Sequence, residues 1–362
     1  MRFLQIIALA AVTACASAAT RPATDAPGAR LYVVNQSSAS ITVIDQQRLT
    51  VDTTIDLTRL GFSLNAKPHH VVVERDGSAW YATLIGDGKV LKFNRANRLV
   101  GQVSMETPGL LSIDPVHDTL FVGRSMTAPN PPRSLAVIAR TAFSLVSEEE
   151  IQIPRPHALV TTRDGRWTHA ASLAENRIAS LDAITGRVTF TTLPGAFRSM
   201  VQFTISPDGR WLVIGGELSN TVLLFDLDAP PPLVPVKEFV VHGKPWDPAF
   251  SPDGARVYFS LFGDNAIAEI DLATARETRR FSTGFAQPYD IIMRADGKYL
   301  FVVNQNTGAT PKAGESAHDH MNMTGTDAKN GWLSVIDVAT GSTIKSLMLG
   351  AGPTGAGAAG AR

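Results

Sequence analysis

The chain has 362 residues, and its 33 basic and 33 acidic side chains cancel, so it carries no basic surface of the kind a nucleic-acid partner requires. Hydrophobic residues make up 44% and charged residues only 18%, which fits one large β domain whose layers pack face to face. The single cysteine excludes a paired-cysteine zinc motif.

Residues 1–14 read as a targeting segment. Met1-Arg2-Phe3 supplies a positive end and LQIIALAAV an apolar core too short for a membrane helix of about 20 residues. Val12-Thr13-Ala14-Cys15 resembles the bacterial lipobox, in which the cysteine becomes the first mature residue and carries the lipid. The resemblance implies an exported protein lipidated at Cys15, periplasmic or at the cell surface, and Ala16 after the cysteine implies anchoring at the outer membrane. The alternative is cleavage after Ala16-Ser17-Ala18, which discards Cys15 and frees the mature chain. Residues 15–30 are small, polar and proline-bearing, and read as a flexible tether to a domain spanning 31–362. No later run is long and apolar enough to cross a membrane, so membrane attachment would run through the lipid alone.

From residue 31 onward one pattern recurs: a short apolar run, an Asp-Gly turn, a second run, and a third that closes on Asp. It stands as ERDGSAWYA, TRDGRWTHA, SPDGRWLVI, SPDGARVYF and RADGKYLFV, with turn glycines Gly77, Gly165, Gly209, Gly254 and Gly297 separated by 88, 44, 45 and 43 positions. The first gap is a doubled period, because SIDPVHDTLFV (Ser112 to Val122) has lost its glycine. Asp-Gly between apolar runs is a hairpin signal, since glycine accepts the positive φ of the turn. A period of roughly 40 to 45 residues with about four strands marks a β-propeller blade. Asp182, Asp226, Asp271 and Asp337, with Asn94 in the same place, end the third runs, where short side chains hydrogen-bond their own backbone. The fourth runs, such as TVDTTIDL and LVGQVSM, are weakly marked, as outer half-solvated strands are.

The motif YVVN at Tyr32 to Asn35, with FVVN at Phe301 to Asn304, resembles the YVTN-type β-propeller repeat family over nearly the whole chain beyond residue 31. The resemblance implies the fold and leaves the activity open, because propellers host binding modules and enzymes alike.

Second strands starting at Leu31, Ser78, Thr119, Arg166, Arg210, Ala255 and Lys298 give an all-β fold of seven blades. No inner strand precedes Leu31, so the C-terminal segment Gly350 to Arg362 is expected to supply it. N- and C-terminal strands then share the closing blade, which removes two exposed edges. The starts of the inner strands and the loops from second to third strands share one face, here called the top.

Four inner runs open on proline, at Pro68, Pro156, Pro245 and Pro288, and are followed by His69 and His70, His157, Trp246 and Asp247, and Tyr289 and Asp290. These side chains converge on the mouth of the channel, where they either bind a small ligand or plug the channel by hydrogen-bonding neighbouring backbone. On the same face the loop between Asn304 and Trp332 is enlarged (residues 305–331). It contains His318, His320, Met321 and Met323, two imidazoles and two thioethers that suit copper. The loop is either such a metal or ligand site or a polar surface cover.

No phosphate loop or haem-attachment motif is present. The Pro-His-His run of PHHVVVERDGSAWYA resembles the inner strand of propeller lactonases, and the Pro-His starts also resemble streptogramin-type propeller lyases. These resemblances imply acid and base roles for His69, His70, His157, Asp247 and Asp290. Two functions are therefore expected: a monomeric exported binding or accessory protein whose top face takes a small-molecule ligand, copper or an envelope protein partner, and alternatively a lactonase- or lyase-like enzyme.

Overall fold

The computed structural model describes residues 30–125, 132–308 and 329–359. The targeting segment, Cys15 and the rest of the tether up to residue 29 lie outside the described residues, as do His318, His320, Met321 and Met323, whereas Arg30, read as the tether's last residue, opens the first strand. The described residues form 28 strands in seven four-stranded antiparallel sheets, a seven-bladed β-propeller. Six blades take four consecutive strands each, within residues 68–104, 108–150, 156–192, 200–240, 245–281 and 288–351 (blades 2 to 7). Blade 1 sets the last strand, β28 (Pro353–Ala358), antiparallel beside the first, β1 (Arg30–Asn35), followed by β2 (Ser40–Asp45) and β3 (Thr50–Asp56). The expected closure by both termini is therefore observed.

The local chemistry follows the sequence pattern. Gly77, Gly165, Gly209, Gly254 and Gly297 all take positive φ, between 66° and 86°. The aspartates beside them, such as Asp76 and Asp164, accept from the backbone N–H two residues on. Asp182, Asp226, Asp271 and Asp337 likewise tie down the turns that follow the third strands. The second strands start at Arg30, Ala79, Thr119, Trp167, Trp211, Arg256 and Tyr299, mostly one residue beyond the positions read from the sequence. The preceding residue is held by the Asp-Gly turn instead of the sheet.

Inner and middle strands are buried on both faces, whereas an outer strand such as Pro235–Val240 (β19) alternates between half-buried and exposed residues. Seven apolar clusters fill the seven spaces between neighbouring blades. Between blades 1 and 2, Tyr32 stacks on Trp80 at 4.4 Å and Trp80 on Phe93 at 4.0 Å.

The glycines of the closing strand fit it to its neighbour. A Cβ added at Gly355 would stand 2.6 Å from the His69 carbonyl oxygen, and one at Gly357 would stand 2.5 Å from that of Val71. The Gly- and Ala-rich composition therefore sets how closely β28 approaches Pro68–Val73 (β4). We expect Gly357→Val to destabilise the fold by about 1 to 3 kcal/mol, because the obstacle is backbone and cannot swing aside. Urea denaturation checks this, and an unchanged midpoint would contradict it.

Candidate functional site

Every inner strand begins with the same strained turn. The residue before its first position is left-handed in all seven blades: Lys67, Thr107, Arg155, Ser199, Lys244, Gln287 and Gly352, with φ between 43° and 60°. Six of these are not glycine, and a side chain in that conformation is uncommon. The conformation turns each carbonyl toward the top loop. There it accepts the N–H of the first residue after the second strand, from Ile85, Ser125, Leu173, Glu217, Phe262, Gln305 and Gln36, at 2.7 to 3.3 Å. The turn aims the next residues of the inner strand at the channel, and a register shift follows within each inner strand.

The seven residues picked out from the sequence are all brought together. His69, His70, His157, Trp246, Asp247, Tyr289 and Asp290 line one cavity at the top of the channel, and none is more than 6% exposed. The cavity is only about 20 Å³, room for about one water molecule. One side is apolar: Trp246 lies 5.0 Å from Phe262 and 5.2 Å from Tyr289, with Leu173 and Val201 beside them. The other side carries the histidines, with the His69 and His157 rings 6.0 Å apart, edge to face.

These side chains also hold blade to blade. His70 Nδ1 accepts from the Leu111 N–H at 3.1 Å, Asp247 from the Ile291 N–H at 2.7 Å, and Asp290 from the Ala356 N–H at 2.7 Å. In each case the acceptor is two residues past the strand's proline and the donor is three past the proline of the next blade. His157 Nδ1 lies 2.8 Å from the Val201 carbonyl, so that nitrogen carries its proton. Thr354 Oγ1 donates to the His69 carbonyl at 3.1 Å. Ser112 Oγ donates to Thr161 Oγ1 at 2.9 Å between blades 3 and 4, so six of the seven blade interfaces are latched through the described inner strands. Between blades 5 and 6 the donor position is Pro248, which has no N–H.

Burial keeps two of the imidazoles neutral. Burial, and then the neighbouring His157, push the His69 imidazole down to about 3. His157 falls to about 4 through burial, against the opposing pull of its bond to Val201. His69 Nδ1 is buried without a hydrogen-bond partner. The Tyr289 phenol is held protonated first by burial and then by the charges of Asp290, Asp247 and Glu217.

Glu217 was not read from the sequence. It is fully buried, accepts from Ser199 Oγ at 3.2 Å and stands 3.9 Å from Lys244 Nζ. A glutamate directly after the apolar run WLVIGG, where other blades carry Ile85, Leu173 or Phe262, is the signal that could have found it. Of the other histidines, His117 pairs with Asp114 at 2.9 Å in a bottom turn. His169 is fully buried in β13, Trp167–Ser172, against Ser180, and burial pushes it down to about 4. The enlarged loop leaves and rejoins its sheet at the top rim. There Gln287 Oε1 accepts from the Thr307 N–H at 2.6 Å, and Asn306 Nδ2 donates to the Asn330 carbonyl at 2.9 Å. Among the described residues, no group of three or more His, Cys, Asp or Glu is placed to hold a metal ion.

No family model and no curated protein matches the chain. Solved structures do. One is similar to this chain at 17% identity and a TM-score of 0.62, hydrazine synthase of Kuenenia stuttgartiensis, with 80% of this chain and 96% of that one covered. Dihydro-haem d1 dehydrogenase NirN, solved in complex with DHE, is similar at 17% identity and a TM-score of 0.62, covering 94% and 78%. A functionally unknown protein from Desulfotomaculum acetoxidans is similar at 13% identity and a TM-score of 0.69, covering 90% and 97%. At these identities the likeness is one of fold.

The neutral histidines set a pH dependence. The folded values of His69, His157 and His169 lie below the unfolded value of about 6.5, so protonation favours the unfolded chain. Their stabilisation is complete above that value and is lost as pH falls toward about 3 to 4. The turn aspartates, whose values are lowered, are affected only at still lower pH than an ordinary carboxylate. We expect stability to drop by about 2 kcal/mol per buried histidine between about pH 7 and pH 5. Urea denaturation at both values checks this, and a flat profile would contradict it.

Proposed function

We propose that the chain is an exported, lipid-anchored β-propeller of the YVTN type that binds a ligand at its top face without transforming it. The observation that carries this reading is the state of the mouth residues. General acid–base catalysis needs accessible groups that titrate near the working pH. Here His69 and His157 are buried and pushed down to about 3 and 4, and Asp247 and Asp290 each commit an oxygen to the backbone of the next blade. This favours binding over the lactonase- or lyase-like alternative. A cavity of about 20 Å³ admits only a water-sized guest, so a larger ligand or an envelope protein partner sits above the rim, on the face where the 305–331 insertion leaves and rejoins its sheet.

The side chains of that insertion favour copper as the ligand, with His318, His320, Met321 and Met323 offering nitrogen and soft sulfur donors. The copper reading rests on these four residues, since the described ones form no metal cluster. We expect the mature protein, incubated with copper and desalted, to retain it stoichiometrically by elemental analysis, and a His318→Ala/His320→Ala variant to lose it. A metal-free wild type would overturn copper as the ligand. Hydrolysis of a lactone that disappears in His157→Gln would overturn the non-catalytic reading itself.

A further inference from the structure

The channel has a second opening at the bottom, and its chemistry differs from that of the top. Between blades 5, 6 and 7 lies a cavity of about 260 Å³. Its walls are largely apolar, formed by Ile205, Pro207, Phe250, Pro252, Ile291 and Met293. Pro207, Pro252 and Ala295 occupy the turn position that in blade 4 is Arg163, which also lines the cavity. The Arg163 stem lies across the next blade's turn, with Cδ 3.0 Å from where a Cβ on Gly209 would stand, and Nε donates to the Ser206 carbonyl at 3.1 Å. The guanidinium is thereby fixed on the rim.

Among the described residues, no carboxylate lies within ion-pairing distance of Arg163. The carboxylate whose charge reaches it, Asp208, is held by Ser206 Oγ and the Arg210 N–H of its own turn. The second arginine of the cavity, Arg294, is already committed to Asp296 and the Gln46 carbonyl, and serves as wall. Burial and the like charge of Arg75 both weigh against the Arg163 cation, a position that an incoming anion relieves.

We infer that this vestibule is a binding site for a small organic anion, a carboxylate on Arg163 with an apolar body between blades 5, 6 and 7. Among the described residues lining the cavity Arg163 is the one uncommitted guanidinium, with Arg75 outside its walls, and this matches a monoanion with a hydrocarbon body better than a multiply charged phosphate, which needs several donors. The site is independent of the top face.

The probe is 4-phenylbutyrate, with 4-phenyl-1-butanol as its neutral counterpart, each titrated into the mature protein by calorimetry. We expect saturable binding of the acid and about tenfold weaker binding of the alcohol, the worth of one charge-assisted hydrogen bond. Arg163→Gln is expected to lose the same factor of about ten, Ala295→Trp to block the cavity, and His318→Ala/His320→Ala to bind as the wild type does. Ala295 is exposed and Arg163 is exposed apart from the stem and Nε that rest on the Ser206 turn, so the apolar core is untouched by either change. No saturable binding at millimolar concentration, or binding unchanged in both bottom variants, would overturn the site. Equal binding of acid and alcohol, or wild-type affinity in Arg163→Gln, would overturn its anion selectivity.

Discussion

A ring of blades exists only if its last edge is covered, and here that depends on the backbone approach of Pro353–Ala358 to Pro68–Val73. Side chains at Gly355 and Gly357 would hold these strands apart, since there is no room between the two backbones for a Cβ. The C-terminal strand pairs with Arg30–Asn35 on one edge, and Thr354 reaches the His69 carbonyl across the blade boundary. Closure converts seven hairpin pairs, each marginal by itself, into one core of seven apolar clusters. It also positions His69 and His70, whose strand packs directly against the closing one.

The same side chains hold the ring and furnish its mouth. His70, Asp247 and Asp290 satisfy backbone N–H groups that the register shifts of the inner strands leave without a sheet partner. A buried carboxylate whose oxygen is committed to a backbone N–H is a poor base, and a buried imidazole driven neutral, as at His69 and His157, is a poor acid. A polar ring at the mouth of a channel is therefore weak grounds for catalysis when its groups are already spent on the frame. The mouth side chains plug and latch the ring, one of the two roles expected from the sequence, and the ligand chemistry we propose lies above the rim.

Much of this was legible in the sequence. The Asp-Gly spacing gave the period, the missing first strand gave the closure, and the residues following Pro68, Pro156, Pro245 and Pro288 gave the mouth. The left-handed turns were not legible, because Lys67, Thr107, Arg155, Ser199, Lys244 and Gln287 have no local preference for positive φ and adopt it only where the top loop claims their carbonyls. The latches were hidden for another reason: each joins residues about 40 or more positions apart, and the hydrogen-bond geometry exists only once the ring is closed. The bottom vestibule was hidden because Ile205, Phe250 and Ile291 read as ordinary core, and the cavity exists only where the inner strands of three blades meet.

The proposed binding without acid–base chemistry rests on neutral, buried histidines, and histidine-labelled NMR across about pH 5 to 8 tests it most directly. Of the eight histidines in the chain, His69, His157 and His169 are predicted to stay neutral throughout, with His157 in the Nδ1–H tautomer. A His69 or His157 resonance titrating near the ordinary value of about 6.5 would contradict the account and return the mouth to the catalytic reading.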